Sequence, residues 1–369
     1  MAGKNGIDSR VSEYILKSSP VDVKAEIPRS QESKKTVLDG RITIENILTC
    51  RDNRIFMVAG QCSTHDVEGD MEVSRLMYEL SEIVNDKIVI VKRSYFEKSR
   101  TGLGWEGMMI DPDMNATNNV RKGLSLCRKI LLYTTELGLP CATEYVESQS
   151  PQYNGDFISW AAIGARTSAS QTHRKLASTL SMPTGIKNDP HGDISTAIHG
   201  ILKAMEKNIL PDGITEEGQP AIVLSDGNPY AHLVLRGGQN GPNYGERNVQ
   251  EALELLKKYE KKSVLQVVVI DCSHDNTLVM DYTSNPPKLK KDYERQAQVF
   301  EDGIRQRKDG NKKIVGFMIE TNIIGGNQTL PQDLRNFDRT VLNYGQSVTD
   351  ACIPFDAFKK LVLDAYNIL

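Results

Sequence analysis

The sequence lacks most of what marks a membrane, secreted or nucleic-acid-binding protein. No apolar run reaches the roughly 18 residues of a membrane-crossing helix, so helical spans are excluded. The opening MAGKNGIDSRVSEY has no apolar h-region, so no secretory signal is expected. Excess charge of either sign is missing too. Lys and Arg total 45, Asp and Glu total 48, and the formal charge is −3. That balance excludes a simple basic nucleic-acid binder and an acidic solvating chain. Cysteine is sparse: Cys50, Cys62, Cys127, Cys141, Cys272 and Cys352 contain no CxxC pair. Disulfides are therefore not expected, and the cytoplasm is the expected compartment. Internal repeats and low-complexity tracts are also missing.

Length is plentiful. The chain has 369 residues, against roughly 250 for a (β/α)₈ barrel and about 100–200 for an ordinary domain. Two domains, or one barrel with residues to spare, would fit. Residues 1–50 carry mixed charge, helical patterns around 10–17 and 41–49, and the Pro-containing linkers SSPVD and EIPRS. They read as an N-terminal arm. After residue 54, β-branched runs alternate with amphipathic helical patterns. The runs are IFMVAG (55–60), KIVIVKR (87–93), PCATEYV (140–146), WAAIGAR (160–166), PTGIKN (183–188), HLVLRGG (232–238), VLQVVVIDC (264–272) and KIVGFMIET (313–321). Helical patterns include 71–84, 119–137, 170–180, 246–260, 292–308 and the last fifteen residues or so. This alternation predicts an α/β fold, a (β/α)₈ TIM barrel over 51–369. Segment 209–231 reads as a Gly/Pro-rich insertion holding a β-hairpin before strand six.

Barrel chemistry lies at the C-terminal ends of the strands. Cys62 and His65 follow the first run, and Lys92 and Arg93 end the second. Glu144, Arg166, Lys187 and Arg236 end the next four. Asp271 and His274 follow the seventh, Glu320 ends the eighth, and Asp350 lies in the loop beyond. Two groups emerge. Arg93, Arg166, Lys187 and Arg236, with Lys98 and Arg100, form a cationic set suited to phosphate and carboxylate oxygens. Such a set would repel itself without anionic ligands. Cys62, His274, Glu320 and Asp350 offer a thiolate, an imidazole and two carboxylates, a mixed donor set for a divalent metal with an open position. A lone Cys is usually buried packing and a lone Arg a solvated ion pair. Lys257, Lys258, Lys261 and Lys262 read as a solvated helix end, and Met108 and Met109 as packing. The shared register of the strand-end residues argues for function, because packing alone does not require it.

At these residues the chain resembles the type I 3-deoxy-D-arabino-heptulosonate 7-phosphate (DAHP) synthases of enteric bacteria and yeast. The resemblance rests on GQCSTHD (60–66), VKRSYFEKSRTGLGWEGMMIDPDMN (91–115), SWAAIGARTSASQTHRKLASTLSMPTGIKN (159–188), IDCSHDN (270–276) and YGQSVTDACI (344–353), with shorter matches between them. It implies a transferase that condenses phosphoenolpyruvate with erythrose 4-phosphate and releases phosphate, the first step of the shikimate pathway. It also implies Cys62, His274, Glu320 and Asp350 as ligands of a divalent metal (Mn²⁺, Fe²⁺, Co²⁺ or Zn²⁺). Arg93, Lys98, Glu144, Arg166, Lys187 and Arg236 would hold phosphoenolpyruvate, and Lys98, Arg100 and Thr101 the erythrose 4-phosphate. Lys98, Cys62, His274 and Asp350 are the expected catalytic set, with Lys98 meeting the developing alkoxide. Asp8, Pro151, Gln152, Ser181 and Val223 match the family's aromatic amino acid effector region, which subunits share, so a homodimer or homotetramer is expected. Departures from the pattern are Gln61 and Ser99 where Pro is usual, Asp189, Pro190 and His191 in place of GTDG, and Gly325 where Glu is usual. LPDGI (210–214) also differs from the hairpin's usual apolar/Ser pattern. These departures leave one alternative: a paralogue that joins phosphoenolpyruvate to a different phosphorylated aldose.

Overall fold

Side chains alternate across a strand, so an apolar run of period two can bury both faces. A computed structural model of the chain describes residues 10–100 and 102–369. In β1 (Ile55–Gly60), Phe56 and Val58 enter one buried cluster, while Ile55, Met57 and Ala59 enter another. The same division recurs in β2 (Ile88–Arg93), where Val89 and Val91 face one way and Ile88 and Ile90 the other. The inner cluster fills the barrel and the outer one packs under helices.

The remaining strands are β3 (Cys141–Glu144), β4 (Ile158–Ile163), β5 (Thr184–Lys187), β6 (Asn208–Ile214), β7 (Pro220–Ser225), β8 (Ala231–Leu235), β9 (Val268–Asp271), β10 (Leu278–Asp281), β11 (Lys288–Lys291), β12 (Ile314–Asn322) and β13 (Ile353–Pro354). Parallel pairing runs β1-β2-β3-β4-β5-β8-β9-β12, and β12 pairs back onto β1. Among the described residues this is a closed eight-stranded parallel barrel with helices between its strands, a TIM barrel. The strands match the eight predicted runs.

The helices are α1 (Pro20–Glu26), α2 (Gln31–Leu48), α3 (Val67–Val84), α4 (Val120–Glu136), α5 (Ser150–Asn154), α6 (Gln171–Thr179), α7 (Ile194–Met205), α8 (Glu246–Lys257), α9 (Gln296–Lys308) and α10 (Phe355–Ile368). Several carry side-chain caps; Asp66, for example, accepts from Gly69 N at the start of α3. The arm contributes to the core through α2, whose Ile44, Ile47 and Leu48 pack against Phe56, Trp160 and Val269 of the barrel interior. The helix predicted at 10–17 does not form. Val11, Tyr14, Ile15 and Leu16 are exposed there, so no apolar stripe is buried. Helix begins where the Ser19 side chain caps Asp22 N and Pro20 takes the first turn.

The predicted insertion is an antiparallel hairpin, β6–β7, just before β8. Its Leu210 and Val223 join Leu180, Met182 and Tyr153 in a side cluster. A second hairpin, β10–β11, lies between β9 and α9 and was not anticipated. Met108 and Met109 are core residues, and Lys257, Lys258, Lys261 and Lys262 are solvated, as expected. Among the described residues no helix is long and apolar enough to cross a membrane.

Candidate active site

The C-terminal ends of the strands converge on two adjoining cavities. One, of about 220 Å³, is lined by Arg93, Lys98, Arg100, Arg166, Arg236 and Lys291 against Glu97, Glu144 and Asp350. The other, of about 170 Å³, contains Glu320, Asn327 and Thr349. His274, Lys291 and Asp350 belong to both.

Close approach of the backbone shapes the first cavity. A Cβ on Gly164 would sit 2.6 Å from Glu144 Oε1, so glycine there leaves the carboxylate its space. Gly237 adopts φ +76°, and a Cβ there would meet the Asp275 carbonyl carbon at 2.4 Å. That approach brings the loop after β9 onto Arg236, whose carbonyl accepts from Asp275 N at 3.1 Å and whose guanidinium binds the Asp275 carboxylate.

The cations are not left to repel each other. Arg93 Nη2 lies 2.8 Å from Glu320 Oε1, and the guanidinium stacks 3.5 Å over the Tyr95 ring. Lys187 Nζ lies 3.0 Å from Asp271 and 3.6 Å from Glu144. Lys98 Nζ lies 3.4 Å from Asp350. The expectation that the cationic set needs external anions to coexist is therefore corrected: buried carboxylates already neutralise much of it. Asp275 and Lys291 are the mouth charges missed in the sequence; Asp271, read there only as a strand-end residue, is the partner of Lys187, and Glu97 lines the cavity while binding Ser150 and Val146. Lys92 belongs elsewhere: it is fully buried and binds Asp70 at 3.1 Å and Gln61 Oε1 at 3.0 Å. Gln61 also accepts from Arg93 Nε through its carbonyl, at 3.0 Å.

Ligand atoms of Cys62, Glu320 and Asp350 lie within 4.8 Å of one another. His274 Nε2 is 3.8 Å from Glu320 Oε1, and its Nδ1 is 2.9 Å from Asp271 Oδ2. Cys62 Sγ lies 2.8 Å from Lys98 Nζ and 3.5 Å from Asp350 Oδ2. Burial, followed by the Glu320 carboxylate, pushes the Cys62 thiol up to about 11. Burial also lowers His274 despite Asp271, favouring the neutral imidazole that ligates metals. Burial would raise Glu320, but Arg93 and His274 outweigh it and hold it ionised. Lys98 lowers Asp350 far more than burial raises it. The residues fit a divalent cation: buried Cys62 and Glu320 meet the exposed Asp350 as soft and hard donors, and a cation would favour the thiolate that burial disfavours. The second nitrogen of His274 lies 2.6 Å from Ser273 Oγ and 2.9 Å from Asp271 Oδ2, polar neighbours of the kind that orient metal-bound histidines.

A sequence profile of the DAHP synthetase I family matches residues 26–362. The chain belongs to this family. It is 41% identical over 351 residues to the Tyr-sensitive phospho-2-dehydro-3-deoxyheptonate aldolase of Escherichia coli (strain K12), covering 95% of this chain and 92% of that one. It is 37% identical over 335 residues to the Trp-sensitive phospho-2-dehydro-3-deoxyheptonate aldolase of Buchnera aphidicola subsp. Schizaphis graminum, covering 91% and 90%. The solved structure of the phospho-2-dehydro-3-deoxyheptonate aldolase of Francisella tularensis SCHU S4 superposes with a TM-score of 0.88 at 36% identity, covering 97% of this chain and 98% of that one.

Within this family member, the strand-end residues Arg93, Glu144, Lys187, Arg236, His274 and Glu320 meet at one mouth with Cys62, Lys98, Arg100 and Asp350, and Arg166 lines the same cavity. Lys187 is buried and faces Asp271 and Glu144 rather than open space. Thr101 lies outside the described residues, as does Asp8. Pro151 and Gln152 sit in α5, Ser181 follows α6, and Val223 lies in β7 against the side cluster.

Proposed function

We propose that this chain catalyses the metal-dependent condensation of phosphoenolpyruvate with erythrose 4-phosphate and water, giving 3-deoxy-D-arabino-heptulosonate 7-phosphate and inorganic phosphate. This is the first step of the shikimate pathway. One observation carries the reading: a cation-lined cavity shares His274 and Asp350 with the cavity that holds Glu320, beside Cys62, at the barrel mouth. Two anionic substrates that repel each other need the first feature, and an aldehyde needs the second.

A divalent cation held by Cys62, His274, Glu320 and Asp350 would polarise the aldehyde carbonyl. The donor set admits Mn²⁺, Fe²⁺, Co²⁺ or Zn²⁺. The chain's own groups do the rest. Arg93, Glu144, Arg166, Lys187 and Arg236 orient phosphoenolpyruvate, and Lys98, Arg100 and Thr101 hold erythrose 4-phosphate. Burial lowers the Lys98 pKa, but Cys62 and Asp350 outweigh it, so the amine stays protonated. Its Nζ–H meets the alkoxide that forms as C3 of phosphoenolpyruvate bonds to the aldehyde carbon. Water then adds at C2, the C2–O bond to phosphate breaks, and phosphate leaves. Asp350, or a water held by Glu144, would take the proton from that water; both carboxyls are held ionised, Asp350 by Lys98 and Glu144 by Lys187 and Arg93 against burial.

The alternative aldose gains no support from the relatives, whose names give one activity. Relatives named Tyr-sensitive and Trp-sensitive support aromatic amino acid control here, with Asp8, Pro151, Gln152, Ser181 and Val223 as the effector region. Residues 1–50 would act as a regulatory and oligomerisation arm beside a catalytic 51–369 domain, in a cytoplasmic homodimer or homotetramer. Phosphate release from phosphoenolpyruvate with a panel of phosphorylated aldoses, with and without Phe, Tyr and Trp, tests the reading. Turnover with erythrose 4-phosphate is expected. Turnover with another aldose and none with erythrose 4-phosphate would overturn it.

A further inference from the structure

Lys291 is a cation at the mouth with no assigned task. It ends β11, the return strand of the second hairpin, and pairs in register with Leu278. The base of that hairpin is tied to the metal-side loop: Asp292 N donates to Thr277 O at 3.0 Å, three residues beyond His274. The hairpin therefore delivers one lysine, at a fixed place, to the rim of the site. Lys291 lines both cavities. Its neighbour Lys290 points to the other face of the strand and reaches Asp281 within the hairpin, at 3.6 Å.

Asp275 organises the rim. One of its oxygens lies 3.8 Å from Lys291 Nζ and the other binds Arg236 Nη1. A single carboxylate thus holds two cations side by side, facing the cavity. Arg236 Nε is buried with no hydrogen-bond partner, while its Nη1 carries the contact to Asp275. Lys291 also retains 44% side-chain exposure, so it can swing between Asp275 and a ligand.

We propose that Lys291 and Arg236 form a phosphate clamp, in which Lys291 binds the phosphate ester that one of the substrates brings to the mouth. The proposal rests on the condensation reading for the identity of the ester. It does not rest on it for the chemistry, which is recognition of a phosphate dianion by two cations spaced by a shared acid.

The test uses the metal-loaded full chain and its Lys291→Met, Lys291→Arg and Lys290→Met variants. Affinities for phosphoenolpyruvate and inorganic phosphate are titrated calorimetrically, without turnover, and KM is measured for both substrates. Lys291→Met is expected to weaken one phosphate ligand about tenfold, a loss of about 1.4 kcal/mol, with kcat within about threefold and metal content unchanged. Lys291→Arg should restore most of the loss, and Lys290→Met should match the parent. A raised KM for phosphoenolpyruvate with weaker phosphate binding assigns the clamp to the enol phosphate. A raised KM for erythrose 4-phosphate alone assigns it to the sugar phosphate. A parent without turnover whose phosphate binding still falls with Lys291→Met would sink the condensation reading and leave the clamp standing. The proposal is overturned if Lys291→Met keeps phosphate affinity and both KM values within about twofold, if Lys290→Met has the same effect, or if the variant loses metal.

Discussion

Two kinds of residue meet at the barrel mouth, and they are held differently. Arg93, Lys187, Asp271 and Glu320 ride on strands and are nearly or wholly buried in fixed ion pairs. Lys98, Asp350 and Lys291 come from loops or a hairpin, with side-chain exposures of 12%, 48% and 44%. A strand fixes a side chain through its pairing register, so charges carried there can be buried against each other. A loop, or a two-stranded hairpin outside the barrel, leaves its charged side chains open to a ligand. The strand-borne set is a prearranged electrostatic floor, and the loop- and hairpin-borne set stands at the rim beside it. The two sets should therefore fail differently when mutated.

The largest expected separation comes from Lys187→Met. It leaves Asp271 buried without its cation, which costs about 3–5 kcal/mol of stability as well as activity. Chemical denaturation would show it as a large fall in the transition midpoint; an unchanged midpoint would mean that the floor is not structural. Arg100→Met on the loop should behave in the opposite way. Among the described residues its guanidinium donates to the Trp105 carbonyl, at 2.8 Å, so stability should hold within about 0.5 kcal/mol. The KM for erythrose 4-phosphate should rise about tenfold. Equal destabilisation by the two variants would erase the distinction.

A smaller effect sits at the junction between the two sets. Glu97 is buried just before Lys98 and accepts from Ser150 Oγ at 2.5 Å and Val146 N at 2.9 Å. Burial outweighs those bonds and raises it to about 7. A carboxyl raised on folding binds its proton more tightly in the native state. Its stabilising contribution is full below the ordinary carboxylate range and is lost as pH rises through about 7. From pH 5 to pH 8 the parent should lose stability relative to Glu97→Gln, by about 2–3 kcal/mol at most. Parallel curves of Tm against pH for the two proteins would contradict the assignment.

The same division explains what could be read from the sequence. Strands carry a period-two signal and end at a common level, so the barrel and the residues Arg93, Glu144, Arg166, Lys187, Arg236 and Glu320 were legible as a register. The counter-charges were not. Asp275 lies in a single 3-10 turn, too short to show a period, and Asp271 was visible at a strand end without any sign that it faces Lys187. Lys291 was hidden because its hairpin, LVMD paired with KLKK, is short and largely exposed and lacks an apolar alternation. The helix expected at 10–17 failed for a related reason. Val11, Ile15 and Leu16 have helical spacing, but among the described residues nothing covers them. Conversely, the spacing of Ile44, Ile47 and Leu48 indicated a helix without indicating that it packs against the barrel interior.

Phosphate release tests the central claim most directly. The protein is assayed with phosphoenolpyruvate and erythrose 4-phosphate as purified, after EDTA treatment, and after Mn²⁺ is restored, alongside Cys62→Ala. The account predicts release that needs both substrates, disappears on chelation and returns with Mn²⁺. Cys62→Ala should keep the fold but less than about a tenth of the rate, a barrier increase above about 1.4 kcal/mol. Release that survives chelation, or a Cys62→Ala variant that keeps most of its activity, would contradict it.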